Sequence, residues 1–343
     1  MNSDSDFMLE AISLARMGWG LTNPNPMVGC VIVKNGSIIG RGFHQKAGEA
    51  HAEINALRDV TKHDFSPEGA TLYVTLEPCS SYGRTPPCTD AIINAGISKV
   101  VIGALDPNPK HAGRGVDLLK NAGIEVICGV ENSECCELNR HFFRWISSGK
   151  PFVILKMAMT LDGRIATENG DSKWVTGVEA RRRVQQLRRL ADAIMIGGNT
   201  LRNDNPQLTV REPENWPRQP QRIIVSSTLS NDDLQEYFPD GRAEIVELPD
   251  NAAWEKYLRE LGERNYSTIL IEGGGEVAAA ALRANAVDMV EFHIAPKILG
   301  GRNSIPAVGG FSPEGMDEAM KLYNVTYTQY GDDLAVSGYL QEE

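Results

Sequence analysis

Residues 51–88 read HAEINALRDVTKHDFSPEGATLYVTLEPCSSYGRTPPC. Residues 51–62 predict a helix that opens at a histidine, and 70–76 is an apolar, β-branched run that predicts a strand. A Gly/Pro-rich loop over 77–88 leads into a short helix at 89–95. Upstream, 5–18 predicts an amphipathic helix capped by Ser5 and stopped at Gly18. Residues 28–34, Asn35-Gly36 and 37–43 predict a β-hairpin with a primed turn. Downstream come strand 100–104, loop 106–114, helix 116–122 and strand 125–128. Strands alternating with helices predict an α/β domain around a central sheet.

The chain has 343 residues, enough at ~150 residues per domain for two domains. Ser147-Ser148-Gly149-Lys150-Pro151 punctuates it, so domains of 1–147 and 148–343 are expected. Alternation resumes beyond that point. Strand 152–157, helix 177–190 and strands 193–197, 222–225 and 267–271 are followed by helix 276–284 and strand 289–295. Runs 323–330 and 334–340 give the second α/β domain an antiparallel finish. The net charge of −11 argues against a polynucleotide partner, which needs a basic footprint. No apolar run approaches the ~18 residues of a membrane span, and the first residues lack the basic character of a signal peptide. A cytoplasmic protein is expected, with no membrane partner and as a homo-oligomer.

All six cysteines precede residue 140, and five of the six histidines precede residue 142. His51, Cys79 and Cys88 offer one imidazole and two thiolates, a donor set suited to zinc with an open fourth position. Water held there has its pKa lowered toward ~7. Glu53, two residues from His51, is placed to shuttle protons without ligating. The pattern is near the zinc-deaminase signature of H-x-E with P-C-x-x-C, although the cysteines here are nine residues apart. A closed structural zinc site would need a fourth protein ligand. His44 on the facing hairpin is the one nearby candidate, and it could equally touch substrate. Cys30 reads as a buried small hydrophobe. A nucleoside deaminase needs no second α/β domain, and a zinc-stabilised binding module needs no spare glutamate.

The runs Asn23-Pro24-Asn25-Pro26-Met27-Val28-Gly29-Cys30, His44 to Glu53, Leu76-Glu77-Pro78-Cys79 and Gly83-Arg84-Thr85-Pro86-Pro87-Cys88 resemble the bacterial bifunctional riboflavin-biosynthesis deaminase/reductase family. That resemblance implies a cytidine-deaminase-like α/β/α domain followed by a dihydrofolate-reductase-like α/β domain. It implies one Zn2+ per chain on His51, Cys79 and Cys88, with Glu53 as proton shuttle. The implied reaction is zinc-hydroxide deamination of 2,5-diamino-6-ribosylamino-4(3H)-pyrimidinone 5′-phosphate, a small phosphorylated pyrimidine. Ser80-Ser81-Tyr82 departs from the family, which commonly carries a histidine there. Asn25 suits a donor–acceptor base edge, and Arg84 suits a phosphate; a turn-former and a surface cation are their plainer readings.

In the second half, polar loops follow strands at 160–166, 172–176, 197–200 and 204–211, where α/β sheets carry ligands. Gly273-Gly274-Gly275 between a strand and a helix exposes backbone N–H groups, but it does not match G-x-G-x-x-G. These segments resemble the family's reductase half, which implies NADPH reduction of the ribosyl group to ribityl. The implied cofactor positions are Ala158, Trp174, Thr200, Asp204, Ser227 and the turn Gly274, Gly275, Glu276, Val277, Ala278, Ala279, Ala280. The implied substrate positions are Ser172, Arg188, Leu208, Arg211 and Glu272. Arg188 and Arg211 would pair with the ribose phosphate, although Arg188 sits in an arginine-rich run whose plainer reading is a solvated helix face. Asp204 and Glu272 are both candidates for the proton donor in the reduction.

Overall fold

In a computed structural model the described residues are all but 1–2, 83–85, 109–110, 311 and 343. The chain divides into two compact units, Met1–Ser148 and Gly149–Glu343. Among the described residues no helix is long and apolar enough to cross a membrane.

Unit 1 contains α1 (Asp4–Ala15), β1 (Gly29–Lys34), β2 (Ser37–Phe43), α2 (Ala52–Lys62), β3 (Thr71–Leu76) and α3 (Cys88–Asn94). It continues with β4 (Lys99–Ala104), α4 (Arg114–Asn121), β5 (Glu125–Cys128), α5 (Asn132–Leu138) and α6 (Arg140–Ser148). Its sheet has the order β2-β1-β3-β4-β5. The two β1 pairings are antiparallel and the β3–β4 and β4–β5 pairings parallel. Asn35 and Gly36 both have positive φ, 53° and 76°, as a primed hairpin turn requires.

Glycines on β1 and β2 reveal how the helices stack. A Cβ on Gly29 would come within 1.9 Å of the Ala11 carbonyl of α1. A Cβ on Gly42 would come within 2.3 Å of the Ala52 carbonyl of α2. Gly42 pairs with Cys30, the neighbour of Gly29, so the two glycines point to opposite faces. The sheet therefore carries α1 on one side and α2 on the other, each at a distance only glycine permits. Leu72, Val74, Val100 and Ile102 fill the core between them with no exposed surface.

The structure corrects the cap of the first helix. Ser3, not Ser5, caps α1: its Oγ accepts from the Asp6 N–H, and Asp6 returns a hydrogen bond from the Ser3 N–H. That reciprocal box satisfies two groups, and Ser5 is left to bond Glu131. Helices α5 and α6 are additional to the elements expected from sequence.

Unit 2 contains β6 (Phe152–Thr160), β7 (Arg164–Ala166), α7 (Val178–Leu190), β8 (Ala193–Gly197), α8 (Gly198–Asp204), β9 (Gln221–Val225) and α9 (Asn231–Tyr237). It continues with β10 (Ala243–Val246), α10 (Asn251–Glu263), β11 (Thr268–Ile271), α11 (Gly275–Arg283) and β12 (Met289–Ala295). The short β13 (Ile305–Pro306) precedes β14 (Tyr323–Tyr330) and β15 (Asp333–Tyr339). The main sheet runs β10-β9-β8-β11-β6-β12-β15-β14. It is parallel from β10 through β12 and antiparallel over its last three strands. Strands β8 and β11 are fully buried and, Thr268 aside, apolar, as parallel strands covered on both faces must be. Their carboxyl ends all point to one edge, and the polar loops collect there.

Candidate active sites

His51 is the N-cap of α2, Glu53 lies in its first turn, Cys79 follows β3, and Cys88 opens α3. Two helix starts and one strand end thus bring the donors together. The Cys79 and Cys88 sulfurs lie 3.6 and 3.3 Å from His51 Nδ1, so that nitrogen is the one facing the thiols. The Cys88 N–H donates to the Cys79 sulfur at 3.2 Å. Among the described residues this is the one group of three such donors close enough to share an ion, all within 4.8 Å of one another. One imidazole and two thiols are the donor chemistry of a zinc site that keeps a position open.

The hydrogen bond between the sulfurs, together with that from His51, holds the Cys79 thiol down at about 4, while the bond between the sulfurs and burial drive Cys88 well up. The hydrogen bond with Cys79 also raises the His51 imidazolium. Burial pushes the Glu53 carboxyl up to about 6, with the Cys79 charge adding to the rise and His51 opposing it. Glu53 is 3% exposed.

His51, Glu53 and Cys79 line a cavity of about 220 Å³ with Asn25, His44, Glu77, Asp106 and Phe142. His44 Nδ1 lies 3.2 Å from the Ala50 carbonyl, so that nitrogen carries the proton. His44 Nε2 then accepts from Asn25 Nδ2 at 3.1 Å. The His44 ring meets His51 edge-on at 5.4 Å between centroids, and burial lowers its pKa. His44 is therefore a neutral strut between the Asn25 amide and the chain before His51. Arg84 lies outside the described residues. Cys30 is fully buried in β1, where desolvation pushes its thiol well up.

Glu77 and Asp106 escaped the sequence reading. Glu77 accepts backbone N–H groups from Asp106, Gly113, Gly115 and Val116 at 2.9–3.4 Å, which ties Asp106 to the start of α4. Asp106 lies at the cavity wall. Without this carboxylate, four backbone N–H donors lose their acceptor. Glu77→Ala is expected to cost unit 1 about 3 kcal/mol, read as a lower urea midpoint.

In unit 2 a cavity of about 990 Å³ opens along the carboxyl edge of the sheet. It brings together Ala158, Ser172, Trp174, Arg188, Thr200, Asp204, Leu208, Arg211, Ser227, Glu272 and the turn from Gly274 to Val277. Ala278, Ala279 and Ala280 do not line it: they continue α11, and Ala278 and Ala279 are buried in the core. Gly274 has φ 73°, and a Cβ there would meet Thr200 Oγ1 at 3.0 Å, so the turn is tight against α8. Trp174 is 63% exposed, with the Arg181 guanidinium 4.7 Å above its ring, rather than packed in the core. The Ser172 hydroxyl donates to Asp204 at 2.9 Å.

Arg188 lines the cavity but does not lie on a solvated helix face. It is buried, and its Nε and Nη2 donate to Glu272 at 2.6 and 2.8 Å. Nη1 donates to the Thr209 carbonyl at 2.9 Å. Arg188 thus presents a fork-paired ion pair to the cavity, not a free cation, whereas Arg211 is exposed on the cavity wall. Lys156 was also missed. It lines the same cavity from β6, and desolvation lowers its pKa, with Glu272 opposing and Arg188 reinforcing that shift. Its signal was a lone ammonium inside the apolar run FVILKMAM. Beside it on β12, Glu291 is gripped by Arg183 at 3.0 and 2.8 Å and by His293 at 2.8 Å. Burial opposes its ionisation, but these partners hold it at about 2.

Comparison with known proteins decides the family. The cytidine and deoxycytidylate deaminase zinc-binding region matches residues 1–104, and the RibD C-terminal domain matches residues 151–336. A riboflavin biosynthesis protein RibD from Actinobacillus pleuropneumoniae is 43% identical over 97% of this chain and 94% of its own length. The chain belongs to the RibD family. The RibD of Aquifex aeolicus is 40% identical over 97% of each chain. Among solved structures, Acinetobacter baumannii RibD aligns with a TM-score of 0.87 at 37% identity over 98% of both chains. A Thermotoga maritima structure described as a diaminohydroxyphosphoribosylaminopyrimidine deaminase/5-amino-6-(5-phosphoribosylamino)uracil reductase aligns with a TM-score of 0.85 at 38% identity over the same share. As a RibD family member the chain is a riboflavin-biosynthesis enzyme, with a deaminase unit followed by a reductase unit.

Proposed function

We propose that unit 1 removes an amino group as ammonia from diaminohydroxyphosphoribosylaminopyrimidine, and that unit 2 reduces the ribosyl group of the deaminated pyrimidine to ribityl. The observation that carries the first half is the convergence of His51, Cys79 and Cys88 beside the buried Glu53. These three side chains would hold one Zn2+, which when bound supplies Lewis-acid activation of water. Glu53 takes the proton released by the attacking water. It passes that proton to the ring nitrogen beside the reacting carbon and then helps the amine depart as ammonia. Burial raises the Glu53 carboxyl, which suits it to both halves of that transfer. Asn25 is oriented by His44 so that its amide nitrogen is occupied, which leaves Oδ1 to accept from a substrate N–H.

In unit 2 the residues fit NADPH, whose nicotinamide supplies a hydride when bound. The Gly274 turn and the start of the nine-residue α11 would receive its pyrophosphate. Ala158, Trp174, Thr200, Asp204 and Ser227 would line the rest. Arg211 and Leu208 would meet the substrate. Glu272 and Asp204 both line the cavity, Glu272 held as a carboxylate by Arg188 and Asp204 accepting from Ser172, which leaves Asp204 as the candidate to relay the proton of the reduction.

The test is the purified chain with zinc, NADPH and the diaminopyrimidine, following ammonia and reduced coenzyme separately. Both signals are expected, in that order. A chelator should abolish ammonia release while NADPH oxidation on the deaminated pyrimidine stays within about twofold, and zinc should restore the first signal. Retention of ammonia release in rigorously metal-free enzyme would remove the zinc reading.

A further inference from the structure

One stripe of α7 forms a wall of the reductase cavity: Arg181, Val184, Gln185 and Arg188 all line it. Their spacing puts them on a single face of the helix. Gln185 is the uncharged polar member of that stripe and is 7% exposed. Its Oε1 accepts from the Arg211 N–H at 2.8 Å. A backbone N–H needs an acceptor, so this bond fixes which end of the amide is oxygen. The other end, Nε2, carries two N–H donors and has no partner among the described residues.

The Arg211 backbone belongs to a segment clasped by side chains. Arg188 Nη1 donates to the Thr209 carbonyl at 2.9 Å. The Gln219 side chain accepts from the Val210 N–H at 2.8 Å and donates to the Val210 carbonyl at 3.0 Å. Gln185 then takes the Arg211 N–H. These three side chains do for 209–211 what a neighbouring strand does for an edge strand, and they fix where the Arg211 side chain leaves the backbone.

The two arginines of this wall differ as anion receptors. Arg188 spends Nε and Nη2 on Glu272, so a phosphate arriving there also meets a carboxylate. The Arg211 guanidinium is exposed on the wall and pairs with no acid among the described residues. A phosphate at Arg211 meets an uncompensated cation beside a neutral amide with open donors.

We propose that Gln185 is a specificity-determining contact of the reduction: Nε2 donates to the 5′-phosphate of the pyrimidine, while Oε1 holds the backbone of Arg211, whose guanidinium takes the same phosphate. The inference rests on unit 2 reducing a phosphorylated pyrimidine. It adds the residue that couples a neutral donor to the cation.

The experiment uses the full chain with NADPH and two pyrimidines: the deaminated 5′-phosphate and the same compound with a free 5′-hydroxyl. The wild type should show a KM at least tenfold lower for the phosphate. Q185E keeps an acceptor for the Arg211 N–H but loses both donors and adds a charge that repels phosphate and competes for the Arg211 guanidinium. Its KM for the phosphorylated pyrimidine should rise about tenfold to a hundredfold. Its kcat, its KM for NADPH and its KM for the 5′-hydroxyl compound should stay within about twofold. Q185M, which removes donors and acceptor without adding charge, should show the same selective loss at a smaller factor. An equal rise in KM for both pyrimidines means that Gln185 only supports the loop, and overturns the contact. So does a KM for the phosphorylated pyrimidine that moves less than about twofold in both variants. A wild-type chain that oxidises NADPH with neither pyrimidine overturns the reductase reading and the contact with it. Equal wild-type KM values for the two pyrimidines overturn the contact alone.

Discussion

Glu53→Gln should release ammonia about a thousandfold more slowly than the wild type, within the range expected for losing a positioned acid–base group. The amide keeps the shape and hydrogen-bonding reach of the carboxyl but cannot carry a proton between water and the leaving amine. Because Glu53 is not one of the three converging donors, bound zinc measured by elemental analysis should stay at one per chain. The pocket should keep its fold, since Glu53 is buried by neutral packing as well as by charge: Ala52 and Ala56 on either side of it are fully buried. NADPH oxidation on the deaminated pyrimidine should be unchanged, because the residues proposed for it lie in the other compact unit. Ammonia release at the wild-type rate in this variant would end the shuttle assignment. Loss of zinc would instead move Glu53 into the ligand set.

Arg188→Met should destabilise unit 2 by about 3–5 kcal/mol. The Arg188 and Glu272 side chains are only 10% and 9% exposed and are joined by two short hydrogen bonds. Removing the guanidinium leaves a carboxylate with little water and no partner, and that uncompensated charge costs more than the pair contributes. For a domain of this size the shift corresponds to about 6–20 °C in the melting temperature of the reductase unit. Reduction should fall with it, since Glu272 loses its orientation in the cavity. Ammonia release by unit 1 should persist at temperatures where unit 2 is still folded. Pairing the change with Glu272→Gln should recover much of the stability, because the buried charge is gone, without recovering reduction. If the single variant melts within about 1 °C of the wild type, water reaches Glu272 and the pair is not buried in solution.

The origin of these two expectations differs. His51, Glu53, Cys79 and Cys88 were legible because zinc chemistry restricts donor types, and each donor sits at a punctuation point of local structure. A helix start, a strand end and a second helix start are all visible in residues 51–88. Asn25 was a candidate base contact from sequence, but the strut that orients it had no local signal: the His44 bond to Asn25 depends on how the loop after α1 folds back on the hairpin. The extra carboxylates had no local signal either. Glu77 precedes Pro78-Cys79 like any loop acid, and only the fold shows that it gathers four N–H groups.

What the sequence determined by itself was the alternation of elements, the break near residue 148 and the metal-site chemistry, because periodicity and donor spacing act over a dozen residues or fewer. Tertiary structure decided the neighbours. Lys156 meets Glu291 because β6 and β12 pair in parallel register across more than a hundred residues of chain. Arg188 meets Glu272 because α7 packs on the strand after which that glutamate stands. In both cases strand order is fixed by burying apolar strands on two faces, and many orders satisfy the same local pattern. The charges therefore acquire partners, and with them their pKa values and roles, only when one order is chosen.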